Sequence, residues 1–454
     1  MTTTTPLLYA ELLRNLRQVN VFIDLPTPAA STTRLSLDKC GSTLSLHHES
    51  MAQKWDIILP LPSAVRAPLP APSSPNLPPL SIPPGATAWS KSLLLLHGDT
   101  TAQQEDNDNH VPWSAPELNS LCLTVSCYHC RAEVLSRGKI KTWKDLPCHN
   151  WAEMMDYWHC HKPHEEGDTE KDKAVKRRLA RDTSSGRGVG GFSTPEGVGL
   201  VDLTFFLVNR RDVGGVEVAE SEKNLEANTE DFVSKSTRTV HCVACKTTLG
   251  FGEDINSNQN SDLPPITSTS AQTPPSETFR LNKWNLCILH PTPPPAPPPT
   301  STPYKVESYP PLPFLSAQLI SMISDLAIRR FRLISENEEP HPEIGLWIWI
   351  FNTDRLYTYA SAEKVVGPSR GMKIYYSENG PPVGQAPGNG ITMGVAEEDI
   401  VVPGDLLMEA RAALRKSTEE LPKAMREFRG WKAGNLERFG RDVNRISECE
   451  PHLD

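Results

Sequence analysis

Two short cysteine pairs carry the clearest chemical signal in the sequence: Cys127-Tyr-His-Cys130 and Cys242-Val-Ala-Cys245. A Cys-x-x-Cys turn aims two thiolates at one point, and two such turns complete a tetrahedral shell suited to zinc. Thiolate donors favour zinc over hard cations such as magnesium. Three readings are open for these residues: one shared structural zinc site, separate cysteines that bind no metal, or a redox pair. Redox chemistry wants the pair at the start of a helix beside a parallel strand. Thr247-Thr-Leu-Gly250, which follows the second pair, reads instead as a β-knuckle, so the shared site is favoured. The stretch from Cys130 to Cys242 exceeds the ~15–20 residues usual between the halves of such a site. The intervening chain must therefore leave and return at the same hairpins. A closed four-thiolate shell has no open coordination position, so this zinc would hold the fold and not catalyse.

A second cluster, Cys148-His149 and His159-Cys160-His161 with His164, brackets a short tryptophan-rich segment. It is compatible with a second zinc site, with a capped helix end carrying exposed histidines, or with a ligand-bearing hook presented to a partner. Spacing does not separate these. Covalent catalysis by a thiol needs one partly exposed cysteine whose thiolate is favoured. The candidates are Cys160, flanked by two histidines, then Cys287 and Cys449; Cys287 lies in the apolar run Leu286-Cys-Ile-Leu289 and resembles a core residue. No Gly-x-x-x-x-Gly-Lys-Ser/Thr phosphate cradle and no Gly-x-Ser-x-Gly nucleophile turn occurs.

The elements that must position these groups are mostly strands. Val21–Leu25, Thr43–His47 and Trp55–Leu59 read as strands, preceded by a helix over Leu7–Leu16 with Leu8, Leu12 and Leu16 at helical spacing. A strand over Leu121–Val125 delivers the first cysteine pair. Trp151–Trp158 reads as a helix capped by Asn150, with Trp151, Met154, Met155 and Trp158 on one face. Val201–Val208 and Phe279–Leu289 read as buried strands. Towards the C-terminus, Gln318–Leu333 reads as a helix, Leu346–Phe351 and Met372–Tyr376 as strands, and Asp405–Glu420 and Pro422–Phe439 as two helices.

Composition sets the limits. Hydrophobic residues are 38% of 454, and 42 residues are proline, against usual shares of about 45–50% and about 5%. Part of the chain is therefore spacer. Proline clusters at 60–88 and 291–313 divide an N-terminal part (1–59), a central domain (89–290, with a charged, Gly-rich insert at 165–199), a C-terminal α/β segment (314–440) and a tail (441–454). A net charge of −9 argues against direct nucleic-acid binding. No apolar run approaches the ~18 residues of a membrane span, and the start lacks the features of a secretory signal. The expectation is a soluble α+β protein with a β-rich N-terminal part, a zinc-stapled middle and an α/β C-terminal segment ending in two helices. Ten cysteines without a secretory signal suit a reducing, cytoplasmic location; the nucleus is an open second compartment.

An ordered set of motifs resembles one family, the ubiquitin-conjugating-enzyme (E2)-binding proteins, or HECT-like E3 ubiquitin ligases. The set comprises Tyr9-Ala-Glu-Leu-Leu13, the first Cys-x-x-Cys, Leu146-Pro147 with Asn150-Trp151, and Trp158-x-Cys160-His161. It continues with Cys242-x-x-Cys245-x-x-x-Leu249-Gly250, Arg280-Leu-x-Lys283-Trp284-Asn285, Leu346-Trp-x-Trp-Ile-Phe351-Asn352, Met372-Lys-Ile374, and Leu421-Pro422 ahead of Trp431. The resemblance implies binding to an E2 and promotion of ubiquitin transfer to substrates or to the protein itself. It also implies a second role: Trp158, Cys160 and His161 would contact the metal-dependent endonuclease of mRNA 3′-end processing, making the protein a non-enzymatic regulator or assembly factor. A HECT domain carries its acceptor cysteine near its end in a Thr-Cys-Phe-like context. No such stretch occurs here; Cys449 stands in Ser447-Glu-Cys-Glu450.

Overall fold

A computed structural model describes residues 5–51, 53–66, 80–96, 109–120, 123–146, 194–219, 238–253, 278–291, 304–336, 344–382 and 397–440. The Trp151–Trp158 segment, the 165–193 part of the insert, and the tail lie outside them. The chain is β-rich with few helices and divides into two compact units, residues 1–109 with 326–439, and residues 110–325 with 440–454. The N-terminal and C-terminal parts, separate in the sequence reading, thus belong to one unit. Among the described residues no helix is long and apolar enough to cross a membrane.

The first unit is built on a nine-stranded sheet. One of its inner strands is Leu7–Leu13, which pairs antiparallel with Gln18–Asp24 on one side and Leu346–Ser361 on the other. The helix expected over Leu7–Leu16 is therefore replaced by a strand and a 3-10 turn, Arg14–Leu16. The reason lies in parity: a leucine every fourth residue satisfies a period of two as well as a helical turn. Leu8, Ala10 and Leu12 join the aliphatic core with Val21, Leu44, Leu46 and Ile57. Tyr9 faces the other way, into an aromatic cluster with Tyr357, Tyr359, Tyr375 and Trp431. A three-stranded meander (Arg34–Leu37, Thr43–Glu49, Lys54–Pro60) contributes to the aliphatic core. Leu61, Val65, Leu80 and Ile82 are buried in the same core, so both ends of the first proline-rich spacer are packed structure.

Two further corrections concern the chain from Pro311 onward. The helix expected over Gln318–Leu333 starts earlier, at Pro311, and ends at Leu326, where Ala327 turns left-handed with φ 56°; Arg330–Ser335 is a strand. Of the two expected terminal helices, Gly404–Glu420 forms, but Pro422–Phe439 does not. Arg429 and Gly430 both take positive φ (51° and 82°), as a tight hairpin turn requires. Phe428 and Trp431 pair across it, and Trp431–Glu437 joins the sheet. Gly434 lets the helix lie on this strand: a Cβ there would stand 2.9 Å from a Leu414 methyl.

The second unit holds two sheets. The seven-stranded one contains Arg238–Cys242, Thr248–Glu253 and Thr278–Asn282; the four-stranded one contains Thr124–Cys127, Glu133–Leu135 and Leu286–Pro291. The expected Val201–Val208 strand is a hairpin, Val198–Val201 and Phe205–Asn209, turned by Asp202, whose carboxylate accepts from the Thr204 N–H at 2.8 Å. Val198 and Gly199, placed in the insert by sequence, are thus sheet. The expected Phe279–Leu289 strand is broken by a 3-10 turn, Lys283–Asn285, which passes the chain from the larger sheet to the smaller. Tyr304–Glu307 and the first turn of the Pro311–Leu326 helix take up the end of the second proline-rich spacer.

Candidate metal centre

Each cysteine pair occupies a tight turn at the end of a strand. Cys127 ends Thr124–Cys127, and Cys242 ends Arg238–Cys242. The two turns share one hydrogen-bond plan. The Cys127 N–H donates to the Ala132 carbonyl (2.8 Å) and the Arg131 N–H to the Cys127 carbonyl (3.0 Å). The Cys242 N–H donates to the Thr247 carbonyl (2.9 Å) and the Lys246 N–H to the Cys242 carbonyl (2.8 Å). Arg131 and Lys246, each just after the second cysteine of its pair, take left-handed φ of 65° and 62°. That twist turns both sulfurs of a pair to one side.

The two turns meet although they lie more than a hundred residues apart. Cys127 Sγ lies 3.7 Å from Cys245 Sγ, and Cys130 Sγ lies 3.5 Å from Cys242 Sγ. All four sulfurs fall within 4.8 Å of one another. A tetrahedron with metal–sulfur bonds of about 2.3 Å has edges of about 3.8 Å, so the set has the dimensions of a metal cage. One pair comes from each sheet of the second unit, so an ion here would staple the two. The Tyr128 N–H also donates to the Asn285 carbonyl (3.0 Å), and the Val243 N–H to the Gly215 carbonyl (3.0 Å).

The electrostatics call for a cation. Burial pushes the Cys127 thiol well above its usual range and raises that of Cys130. Desolvation opposes ionisation of Cys245 too, but hydrogen bonds with Thr247, whose Oγ1 lies 3.2 Å from the sulfur, and with neighbouring thiols hold it down to about 6. Four thiolates in this volume repel one another, and a bound divalent cation removes that penalty by displacing the protons.

Cys287 lies beneath the first turn. It is fully buried, its thiol donates to the Cys127 carbonyl at 3.5 Å, and burial raises its pKa. It supports the turn and is no accessible nucleophile. Cys40 is exposed in the turn before Thr43–Glu49. Cys160, Trp158, His161, Cys148, His164 and Cys449 all lie outside the described residues. Sequence reading placed Thr247 in the knuckle but missed its contact with the Cys245 sulfur, and missed the Asn285 and Gly215 carbonyls; a hydroxyl two residues past a cysteine pair was the available sign for the first, and backbone contacts leave none.

The family model for HECT-like ubiquitin-conjugating enzyme (E2)-binding proteins matches residues 11–433, spanning both units and both cysteine pairs. The chain belongs to that family. Among relatives, the uncharacterized protein YJR141W of Saccharomyces cerevisiae is 21% identical over 268 residues, 59% of this chain and 57% of its own length. The uncharacterized protein C1734.10c of Schizosaccharomyces pombe is 22% identical over 346 residues, 73% of this chain and 79% of its own. The chain thus spans little more than half of the first relative. No solved structure matches. As a member of the E2-binding family, the chain carries most of its described motifs on β-strands and their turns, with Leu421-Pro422 at the end of the Gly404–Glu420 helix.

Proposed function

We propose that this protein docks a ubiquitin-conjugating enzyme and acts as an E3 ubiquitin ligase, promoting transfer to substrates or to itself, with a structural zinc ion on Cys127, Cys130, Cys242 and Cys245. The family match over 11–433 is the observation that carries the reading. The four converging thiols support the metal, which supplies folding free energy and leaves no open position for chemistry.

Transfer by docking suits the described cysteines. Of the six, four belong to the cage and Cys287 is buried, leaving Cys40 exposed in a turn of the first unit. An E2 loaded with ubiquitin needs only a surface that holds it near a lysine: the amine attacks the thioester carbonyl, an amide forms, and the E2 thiol leaves. Cys160 is the candidate for the other route, a ubiquitin thioester on this chain.

The test supplies E1, E2, ubiquitin and ATP to the full chain. Conjugates that resist thiol reductant and depend on this protein are expected. A reducible adduct lost in Cys160→Ser would place the transfer on that thiol. If no conjugate forms, and Cys160→Ala abolishes capture of the 3′-end-processing endonuclease, the non-enzymatic regulator replaces the ligase. Metal analysis of the purified chain should find about one zinc per molecule, absent in Cys242→Ser.

A further inference from the structure

The aromatic face of the nine-stranded sheet ends in two exposed rings. Trp347, Trp349 and Phe351 alternate along Leu346–Ser361, and a register shift between Ile350 and Asn352 places Phe351 at a bulge. Such bulges re-aim side chains. Phe351 is 54% exposed and Phe428, on the neighbouring hairpin, 40%. Both rings lie against Tyr375, at 5.5 and 5.3 Å, and both stand 6.3 Å from Trp349. The two exposed rings flank buried Tyr375 and partly buried Trp349 and so continue the aromatic core to the surface, in contrast to single exposed apolar residues such as Met408.

Cations are interleaved with these rings. The Arg330 guanidinium lies 5.2 Å from the Trp349 ring, and that of Arg429 5.3 Å from the Phe428 ring. Lys373 sits between Phe351 and Tyr375, its Nζ 5.7 and 5.8 Å from their centroids. Among the described residues Lys373 has no carboxylate or hydrogen-bond partner. Burial and the nearby Arg355 guanidinium push its amine down to about 8. A half-buried ammonium held by ring faces alone is a place for an incoming carboxylate, which would offset its desolvation.

Trp, Tyr and Arg beside a desolvated charge are the residues that carry most of the energy in protein–protein interfaces. From this composition, and resting on the E2-binding reading above, we infer that the Trp349–Phe351–Tyr375–Phe428 patch is where the ubiquitin-conjugating enzyme docks, an apolar side chain seated on Phe351 and Phe428 and a carboxylate meeting Lys373. Every residue of the patch lies within the matched span 11–433. Single-stranded nucleic acid, which also stacks on exposed rings, is disfavoured by the net charge of −9 and by having only three cations here.

Binding of the full chain to a panel of purified E2 enzymes tests this, with Phe351→Ser, Phe428→Ser and Lys373→Met beside Met408→Ser as control. The wild type should bind at least one E2. Each Phe variant should weaken it at least tenfold and Lys373→Met several-fold, with unchanged melting temperature and an unaffected control. If the wild type binds and the three variants bind within twofold of it, docking lies elsewhere: the inference falls and the E2 reading stands. If the wild type binds no E2, both fall. If the variants lose binding to a labelled single-stranded RNA while keeping the E2, the occupant is nucleic acid and the inference is overturned.

Discussion

The two units hold themselves together by opposite means. The second joins two sheets through four thiols on short local turns, each with its own backbone hydrogen bonds. The first relies on partners far apart in sequence. Leu7–Leu13 sits between Gln18–Asp24 and a strand more than 330 residues away, and the buried Arg355 guanidinium pairs with Glu11 while donating to Asn435 at 3.1 Å. On the zinc reading proposed above, a chemical staple ties two sheets together, whereas the first unit rests on one large sheet with a core cluster on each face.

Removing the metal is the strongest way to break this comparison. Chelation or Cys242→Ser should destabilise the second unit by several kcal/mol. Hydrogen exchange should then show amides of 124–135 and 238–253 losing protection while those of 7–24 and 346–377 keep theirs. Equal loss in both units would end the distinction.

The first unit has its own counterpart. Arg355→Met leaves Glu11 buried without its partner and should cost about 3–5 kcal/mol, read as a lower urea midpoint. The zinc content should not change. Loss of the metal in this variant would show that the staple depends on the unit that lacks it.

A smaller effect comes from Lys283, which is fully buried in the second unit. Its Nζ donates to the carbonyls of Pro112 (3.2 Å) and Trp113 (3.4 Å), and burial lowers its pKa to about 7 from 10.5. The unfolded chain therefore binds the extra proton between those values, so this group makes stability rise as pH climbs from about 7 to about 10.5. The wild type should gain up to a few kcal/mol over that window relative to Lys283→Met, measured as urea midpoints in the same buffers. Parallel curves would contradict the assignment. The least effect is expected from the exposed Lys246–Glu217 pair beside the second cysteine turn, 2.7 Å apart. Glu217→Gln should change stability by no more than about 0.5 kcal/mol; a loss comparable to Cys242→Ser would mean that surface charge, and not thiols, holds the turn.

The same contrast governs what could be read in advance. Both cysteine turns were legible because two thiols three positions apart are a local signal, and Thr43–Glu49 and Lys54–Pro60 showed plain alternation. Leu7–Leu13 was misread because residues buried on both faces of an inner strand erase that alternation. Trp431–Glu437 was misread because its neighbours in the sheet, not its own spacing, decide its conformation. The exposed rings of Phe351 and Phe428 were hidden for a similar reason: an aromatic run reads as buried until the edges of its sheet are known.

Residue types and short spacings alone determined the thiol turns, the family and the excess of strand, since these depend on neighbours within a few positions. Only the tertiary structure decided that Cys127 meets Cys245 and Cys130 meets Cys242, that the N-terminal strands and those beyond residue 330 build one sheet, and that Lys373 lies between rings with no carboxylate among the described residues. The first two outcomes depend on closing loops of more than a hundred residues, whose free energy comes from pairing and burial summed over the whole unit and is written in no single stretch of sequence.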